Sequence, residues 1–225
     1  MKSYESGDNR KPVIFLFPGT CCLYSSFDHV LDGLHSYFYT VTVSYDGFDP
    51  NEKTEFYSME DECEKIEQEI KKKYCGRIKA AYGCSLGGSL VSLLIQRKRI
   101  HIEHGIIGSS DMDEAGKLVA KIQASMVVPF MYKMAHTGAL PKFMQKKLNK
   151  TDGDKKELYN GFLNMFGIGK GGSPWITKQS IYNQFYSDLV TKVQHGIDVP
   201  GTTIHVFYAT KMGKKYEKRF SISQF

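Results

Sequence analysis

The sequence predicts an α/β protein in which helices flank a mostly parallel sheet and a helical cap interrupts the core. Short runs of apolar and β-branched residues alternate with segments of helical spacing, which is the pattern of a parallel α/β sheet. Residues 112–176 differ, because they are rich in methionine, lysine and glycine and show no strand pattern. We therefore expect a core formed by residues 1–111 and 177–225, and a helical cap formed by residues 112–176.

The composition excludes several classes of protein. The chain has 225 residues, of which 41% are hydrophobic and 24% charged, as in globular proteins rather than disordered, collagenous or coiled-coil chains. The net charge is +6, but the lysines are scattered, which does not favour a nucleic-acid partner. No apolar run is long enough for a membrane span. Five cysteines without zinc-type spacing, and no export signal, predict a cytoplasmic protein that needs no metal or cofactor.

The first half of the chain contains two predicted strands and two predicted helices. Val13–Phe17 is a short apolar run that ends at Pro-Gly, which is typical of a buried strand followed by a turn. Helical spacing predicts a helix over Ser26–Tyr37, and the β-branched run Tyr39–Ser44 predicts a second strand. Ser58 and Asp61 then form the start signal of a charged surface helix.

The second half continues the alternation. Strands are predicted at Ile78–Tyr82, at His104–Ile107 and, after the cap, at Thr203–Ala209. The helix at Ser89–Arg97 is apolar almost all round and should be well buried. The helix at Thr177–Val193 has one apolar face. The prediction is thus a sheet of five strands.

The motif with the clearest chemical meaning is Gly83-x-Ser85-x-Gly87, which lies between a predicted strand and a predicted helix. In that context the pattern is typical of a nucleophile elbow, a strained turn that projects a serine hydroxyl above the sheet. The two glycines, with Gly88, leave room where side chains would collide with the neighbouring strand and helix. The N–H groups at the start of the following helix favour developing negative charge.

These segments resemble the α/β-hydrolase family. The resemblance rests on Phe15–Thr20, Tyr82–Ser89 and Gly105–Asp111, and the order of elements matches from about residue 11 to residue 211. It implies a sheet with helices on both sides and a cap over the substrate.

The resemblance also implies roles for particular residues. Ser85 would be the nucleophile that carries the acyl group. The oxyanion hole would use the N–H of Leu86, together with an N–H from the loop after the first predicted strand, where Thr20 and Cys21 are both candidates. In this family the methionine-rich stretch corresponds to the position of the cap.

Two features depart from the family pattern. The family acid usually follows the strand that corresponds to Thr203–Ala209, but here that turn is Thr-Lys-Met-Gly, without a carboxylate. The family histidine follows a further helix and strand, whereas no histidine occurs after His205. We therefore expect a shortened C-terminus relative to the family.

Asp111 is the best candidate for the acid, because it follows the strand next to the one that leads to Ser85. Asp113 is the second choice, and a role for Asp111 as the N-cap of the first cap helix fits equally well. Of the seven histidines, three are expected at the wrong end of the sheet, one inside a strand and two on a surface helix. His136, in the cap, could lie over Ser85.

The predicted function is a serine-type hydrolase that acts on a carboxylic ester or thioester through an acyl intermediate on Ser85. The alternative is a catalytically impaired α/β-hydrolase-like protein that binds a ligand or partner, because the usual histidine segment is missing. Acyl transfer to an acceptor other than water would use the same groups. The expected partner is a small acyl substrate or a hydrophobic ligand, and the exposed edge strand at Thr203–Ala209 makes a homodimer possible.

Overall fold

A six-stranded sheet forms the centre of the molecule. The computed structural model describes residues 1–110, 114–140, 171–194 and 196–207, together with isolated positions between 142 and 163. The strand order is β1-β3-β2-β4-β5-β6, with β1 antiparallel to β3 and every other neighbouring pair parallel. The strands are β1 (Lys2–Ser6), β2 (Val13–Phe17), β3 (Tyr39–Ser44), β4 (Arg77–Cys84), β5 (His101–Gly108) and β6 (Thr203–Phe207).

Five α-helices belong to the described part of the chain: α1 (Asp28–His35), α2 (Met59–Tyr74), α3 (Leu86–Arg97), α4 (Lys117–Thr137) and α5 (Lys178–Val190). A short 3-10 helix at Tyr24–Phe27 precedes α1. None of the helices in these described ranges is both long enough and apolar enough to cross a membrane.

Both faces of the sheet are buried, one by a larger apolar cluster than the other. On one face, Phe15, Val41 and their neighbours pack against the apolar sides of α2 and α3, and this is the main core. The other face carries a smaller cluster of Ile14, Leu16 and Ala80 with Phe27, against which α1 packs. Because β2 and β4 are covered on both sides, they are rich in apolar residues, as expected for central parallel strands.

The local signals in the sequence correspond to real helix ends. The hydroxyl of Ser58 accepts a hydrogen bond from the N–H of Asp61 at 3.1 Å, so Ser58 is the N-cap of α2. Acidic residues occupy the first turn of α2 and lysines its last turn, which suits the helix dipole. The predicted burial of the helix after the Gly-Ser-Gly motif is also confirmed, since α3 is buried from Leu86 to Ile95.

The sheet has one strand more than the sequence predicted. The sequence does not indicate β1, because its residues are polar and show no apolar alternation. Among the described strands, β1 is an edge strand that pairs with β3 alone, in antiparallel orientation. The helix predicted at Ser26–Tyr37 is shorter, because its first turn is a 3-10 helix and α1 ends at His35. The strand predicted at His104–Ile107 begins three residues earlier, at His101.

The predicted cap is described in part. Its first helix is α4, which packs along α5, and the N–H of Ser173 donates a hydrogen bond to the carbonyl of Ala135 at 2.6 Å. Most of the stretch from 141 to 170 lies outside the described residues. β6 pairs only with β5 among the described strands, so the homodimer through this edge remains a prediction.

Candidate active site

The carboxyl ends of β2, β3, β4 and β5 meet at one edge of the sheet, because these strands are parallel. Ligands in open α/β sheets bind at that edge. β2 lies next to β4, so the loop after Phe17 is brought beside the turn that follows Cys84. This adjacency places the two segments that the sequence singled out next to each other.

Ser85 lies on the turn that joins β4 directly to α3. Its backbone has φ 53° and ψ −119°, outside the regions that side-chain-bearing residues normally adopt. The N–H of Ser85 donates a hydrogen bond to the carbonyl of Gly108 at 2.9 Å, which ties the turn to the end of β5. The prediction of a strained turn at Ser85 is therefore confirmed. The side chain is half-buried, and its Oγ has no hydrogen-bond partner among the residues that the structure describes.

The glycines around Ser85 are required by close backbone contacts. A Cβ at Gly83 would lie 2.0 Å from the carbonyl oxygen of Gly87, and a Cβ at Gly87 would lie 2.1 Å from the carbonyl oxygen of Phe17. A Cβ at Gly88 would lie 2.7 Å from the Cβ of Ser110. The turn can thus approach β2, β5 and its own helix only because three positions lack side chains.

The loop after β2 lies against this turn. A Cβ at Gly19 would be 3.6 Å from the Cβ of Ser85, which is ordinary van der Waals contact. The loop folds back on itself through a hydrogen bond from the N–H of Cys22 to the carbonyl of Gly19 at 3.0 Å. The buried hydroxyl of Tyr45, directly after β3, donates to the carbonyl of Pro18 at 2.9 Å and fixes the start of the loop.

A side chain from α5 fixes the other end of the loop. The Oε1 of Gln184 accepts a hydrogen bond from the N–H of Cys21 at 2.9 Å, and both residues are buried. Cys21 has a positive φ of 60°, so this contact holds a strained residue in place. The N–H of Cys21 is therefore occupied. Within the described residues, the N–H groups of Thr20 and Leu86 have no acceptor, which favours Thr20 over Cys21 as the second oxyanion donor.

The thiols near the turn are neutral packing groups. Burial raises the pKa of the Cys21 thiol well above its usual range, and burial raises that of Cys22 to about 12. Burial also raises the pKa of Cys84. Because the thiolate is the reactive form, burial makes these three cysteines poor nucleophiles.

Asp111 and Asp113, the two candidates for the acid, lie outside the described residues, and their roles remain predictions. The residue before them, Ser110, is buried, and its Oγ lies 3.0 Å from the Oγ of Ser89. The N-cap of α4 is Gly116. The alternative that Asp111 caps this helix is therefore wrong.

No described histidine forms a hydrogen bond with Ser85. His35 bonds to the hydroxyls of Ser6 and Thr40, and the Nδ1 of His104 lies 3.2 Å from the Nε2 of His205 on the neighbouring strand. The ring of His136 lies on that of Tyr132, with 5.0 Å between centroids, and its Nδ1 is buried without a partner among the described residues. His195 lies outside them.

Two aspartates after β3 shape the rim of the sheet. Asp49 accepts hydrogen bonds from the N–H of Asn51 and the hydroxyl of Tyr4, at 2.9 and 2.7 Å, so it stabilises a turn. Asp46 belongs to a carboxylate cluster with Asp61 and Glu62, whose oxygen atoms lie within 4.8 Å of one another. The ammonium group of Lys65 binds Asp46 and Asp61 and supplies the positive charge that such a cluster needs.

A cavity of about 440 Å³ lies on the α1 face of the sheet. Ser85 does not line this cavity, so the space for a substrate under the cap, which the family resemblance implies, remains a prediction. The walls are mainly apolar and comprise Ile14, Leu16, Phe27, Val30, Leu34, Tyr82 and Ile106 with a few polar neighbours.

The predictions from the sequence do not include the two side chains that hold the loop after β2, Tyr45 and Gln184. Tyr45 had a detectable signal, because it directly follows a predicted strand and must therefore lie at the carboxyl edge of the sheet. Gln184 had none, since it is one polar residue on a helix far along the chain.

Comparison with known proteins supports the fold. No protein-family model matches the sequence, and no curated protein matches it significantly. An α/β-hydrolase family protein from Desulfitobacterium hafniense is 15% identical with a TM-score of 0.67, over 91% of this chain and 78% of that one. MenH from S. aureus is 11% identical with a TM-score of 0.70, over 96% of this chain and 82% of that one. An esterase from Thermogutta terrifontis is 14% identical with a TM-score of 0.67, over 97% and 79% of the two chains. The chain therefore has the α/β-hydrolase fold that its sequence predicted.

Proposed function

We propose that this chain is a serine-type hydrolase that acts on a carboxylic ester or thioester through an acyl intermediate on Ser85. The observation that carries the proposal is the backbone of Ser85, with φ 53° and ψ −119° between a central parallel strand and a buried helix. Strain of this kind is found at reacting positions, and a strand-to-helix turn with flanking glycines presents the hydroxyl to a ligand. The esterase and hydrolase folds of the similar structures are consistent with it.

The reaction would proceed in two steps. The Oγ of Ser85 attacks the carbonyl carbon, and the negative charge on the carbonyl oxygen is stabilised by the N–H groups of Leu86 and Thr20. The bond to the leaving alcohol or thiol then breaks, and the leaving group takes up a proton. Water hydrolyses the acyl ester, releases the carboxylic acid and regenerates Ser85.

Both steps need a base that accepts a proton and returns it. Asp111 is proposed to orient that base. His136 is the first candidate, because its Nδ1 is buried without a partner among the described residues. Since no described histidine bonds to Ser85, we expect slow turnover.

We also propose that residues 112–176 cap the site. The support is that α4 packs along α5, which supplies Gln184 to the oxyanion loop. The cap, α5 and the loop after β2 would then enclose an acyl group above Ser85. The surroundings of the acyl group would be apolar and poor in water.

Hydrolysis of p-nitrophenyl acetate and p-nitrophenyl butyrate tests the proposal. We expect the wild-type protein to release up to one equivalent of p-nitrophenol in a burst, followed by slow turnover, and Ser85→Ala to abolish both. Ser89→Ala is the matched control, because Ser89 lies one turn further along α3 and should leave the burst intact. Equal release by folded wild-type protein and Ser85→Ala would overturn the proposal.

The second candidate is a ligand-binding protein without esterase activity. The observation that favours it is the absence, among the described residues, of a hydrogen bond between any histidine and Ser85. It predicts no Ser85-dependent release, while calorimetry shows that p-nitrophenyl butyrate binds wild-type protein and Ser85→Ala equally well.

A further inference from the structure

The helix α4 has an apolar side that faces away from the protein. Its buried positions include Ala120, Ala124 and Val128, spaced four residues apart. Leu118 and Met126, which are 73% and 74% exposed, also follow a spacing of four but lie on the opposite side. The inward stripe is therefore made mainly of small side chains, and the outward side carries large ones.

This distribution is the reverse of that of an ordinary surface helix, whose polar face is turned to the solvent. Ten large hydrophobic side chains are exposed among the described residues, and six of them belong to α4. They are Leu118, Val119, Ile122, Met126, Val127 and Phe130. Contiguous exposure of this kind marks an interaction surface rather than scattered surface residues.

Three exposed lysines lie on α4, and α4 itself contains no carboxylate. Lys117, Lys121 and Lys133 are exposed on α4. The sequence from 117 to 150 contains seven lysines and no aspartate or glutamate, whereas the whole chain has a net charge of only +6. This stretch is therefore strongly basic, although Glu114 precedes it and Asp152 follows it. A partner must accept apolar side chains and supply negative charge at the same time.

We propose that the outward side of α4 docks on a membrane surface that contains anionic lipid. The helix would lie in the plane of the interface, with Leu118, Ile122 and Met126 among the acyl chains and the lysines at the phosphate groups. A second copy of the chain suits the surface less well, because pairing two α4 helices would bring like charges together. The proposal concerns binding alone and does not depend on the chemistry of Ser85.

Co-sedimentation with lipid vesicles tests this docking. Vesicles of phosphatidylcholine alone are compared with vesicles that also contain phosphatidylserine, at low and at high salt. We expect binding that requires phosphatidylserine and weakens as salt rises. Met126→Glu should weaken it at least tenfold, and Lys121→Ala about fivefold, the typical effect of one lysine at an anionic surface.

Tyr37→Glu is the matched control, because Tyr37 is also exposed and apolar, 72% accessible, but lies beside α1. It should bind vesicles like the wild-type protein, and thermal unfolding should show that all variants are folded. Absence of vesicle binding, equal binding to phosphatidylcholine alone, or equal binding by Met126→Glu would overturn the proposal. A concentration-dependent dimer that Met126→Glu dissociates would assign the surface to a second copy and would also overturn it.

Discussion

The side-chain oxygen of Gln184 accepts a hydrogen bond from the backbone N–H of Cys21 at 2.9 Å, although the two residues are 163 positions apart. This contact joins α5 to the loop that lies against Ser85. It occupies one of the two candidate oxyanion donors and holds Cys21 in its left-handed conformation. The shape of the proposed oxyanion hole thus depends on a helix that follows the cap in the sequence.

We predict that Gln184→Ala lowers both the stability and the reactivity of Ser85. Removing the acceptor leaves a buried N–H unpaired, at a cost of about 1–3 kcal/mol. For a chain of this size that corresponds to a fall in Tm of about 2–12 °C. The p-nitrophenol burst should slow about tenfold or more, because the loop is no longer fixed.

The matched control is Gln179→Ala on the same helix. Gln179 is exposed and, within the described part of the chain, its side chain donates to Asn183 alone, at 2.8 Å. Both Tm and burst rate should therefore stay close to those of the wild-type protein. Equal behaviour of the two variants would show that the contact with Cys21 does not support the site.

Substituting alanine for each of two helical glycines should change the stability of the protein in opposite directions. A Cβ at Gly87 would lie 2.1 Å from the carbonyl oxygen of Phe17, so Gly87→Ala should cost about 3 kcal/mol or more. A Cβ at Gly33, inside α1, meets nothing within 4 Å, and Gly33→Ala should stabilise the protein by about 0.5–1 kcal/mol. Urea unfolding of both variants measures the difference. A stable Gly87→Ala variant would contradict the close packing of the turn on β2.

The stability of the protein should depend on pH through Glu62. Burial, with the nearby Asp46, raises the pKa of this carboxyl from 4.5 to about 7 in the folded state. At a pH between these two pKa values, Glu62 is still protonated in the folded protein but ionised in the unfolded chain. The contribution of Glu62 to the free energy of unfolding therefore falls as pH rises from about 4.5 to 7. Glutamine has no proton to lose. The Tm of Glu62→Gln relative to wild type should therefore rise across this window and level off above it.

Glu64→Gln is the control for this series, because the side chain of Glu64 is 54% exposed. Its Tm is measured at the same pH values, so that the effect at Glu62 can be separated from the general effect of removing one carboxylate. A Glu62→Gln difference that does not vary with pH would show that folding does not raise the pKa of Glu62.

The features that the sequence predicted well are local ones. β2 and β3 have the predicted limits, because an apolar or β-branched run determines them without reference to distant residues. The turn at Ser85 was predictable for the same reason, since strand, glycines and helix follow one another directly.

The features that could not be predicted depend on distant contacts. β1 is polar, and only its pairing with β3 makes it a strand. The sequence of neither segment indicates the contact between Gln184 and Cys21, because a single glutamine on a helix is typical of a surface position. The acid and the base of the proposed site are hard to predict for the same reason. Their contacts with Ser85 would come from other parts of the chain, and no local pattern indicates such contacts.

The most direct test of the central claim is labelling with a fluorophosphonate, followed by mass spectrometry of the intact protein and its peptides. We expect one adduct per chain, located on Ser85, absent from Ser85→Ala and retained by Ser89→Ala. No adduct on the folded wild-type protein, or an unchanged adduct on Ser85→Ala, would contradict the claim that Ser85 is an activated nucleophile.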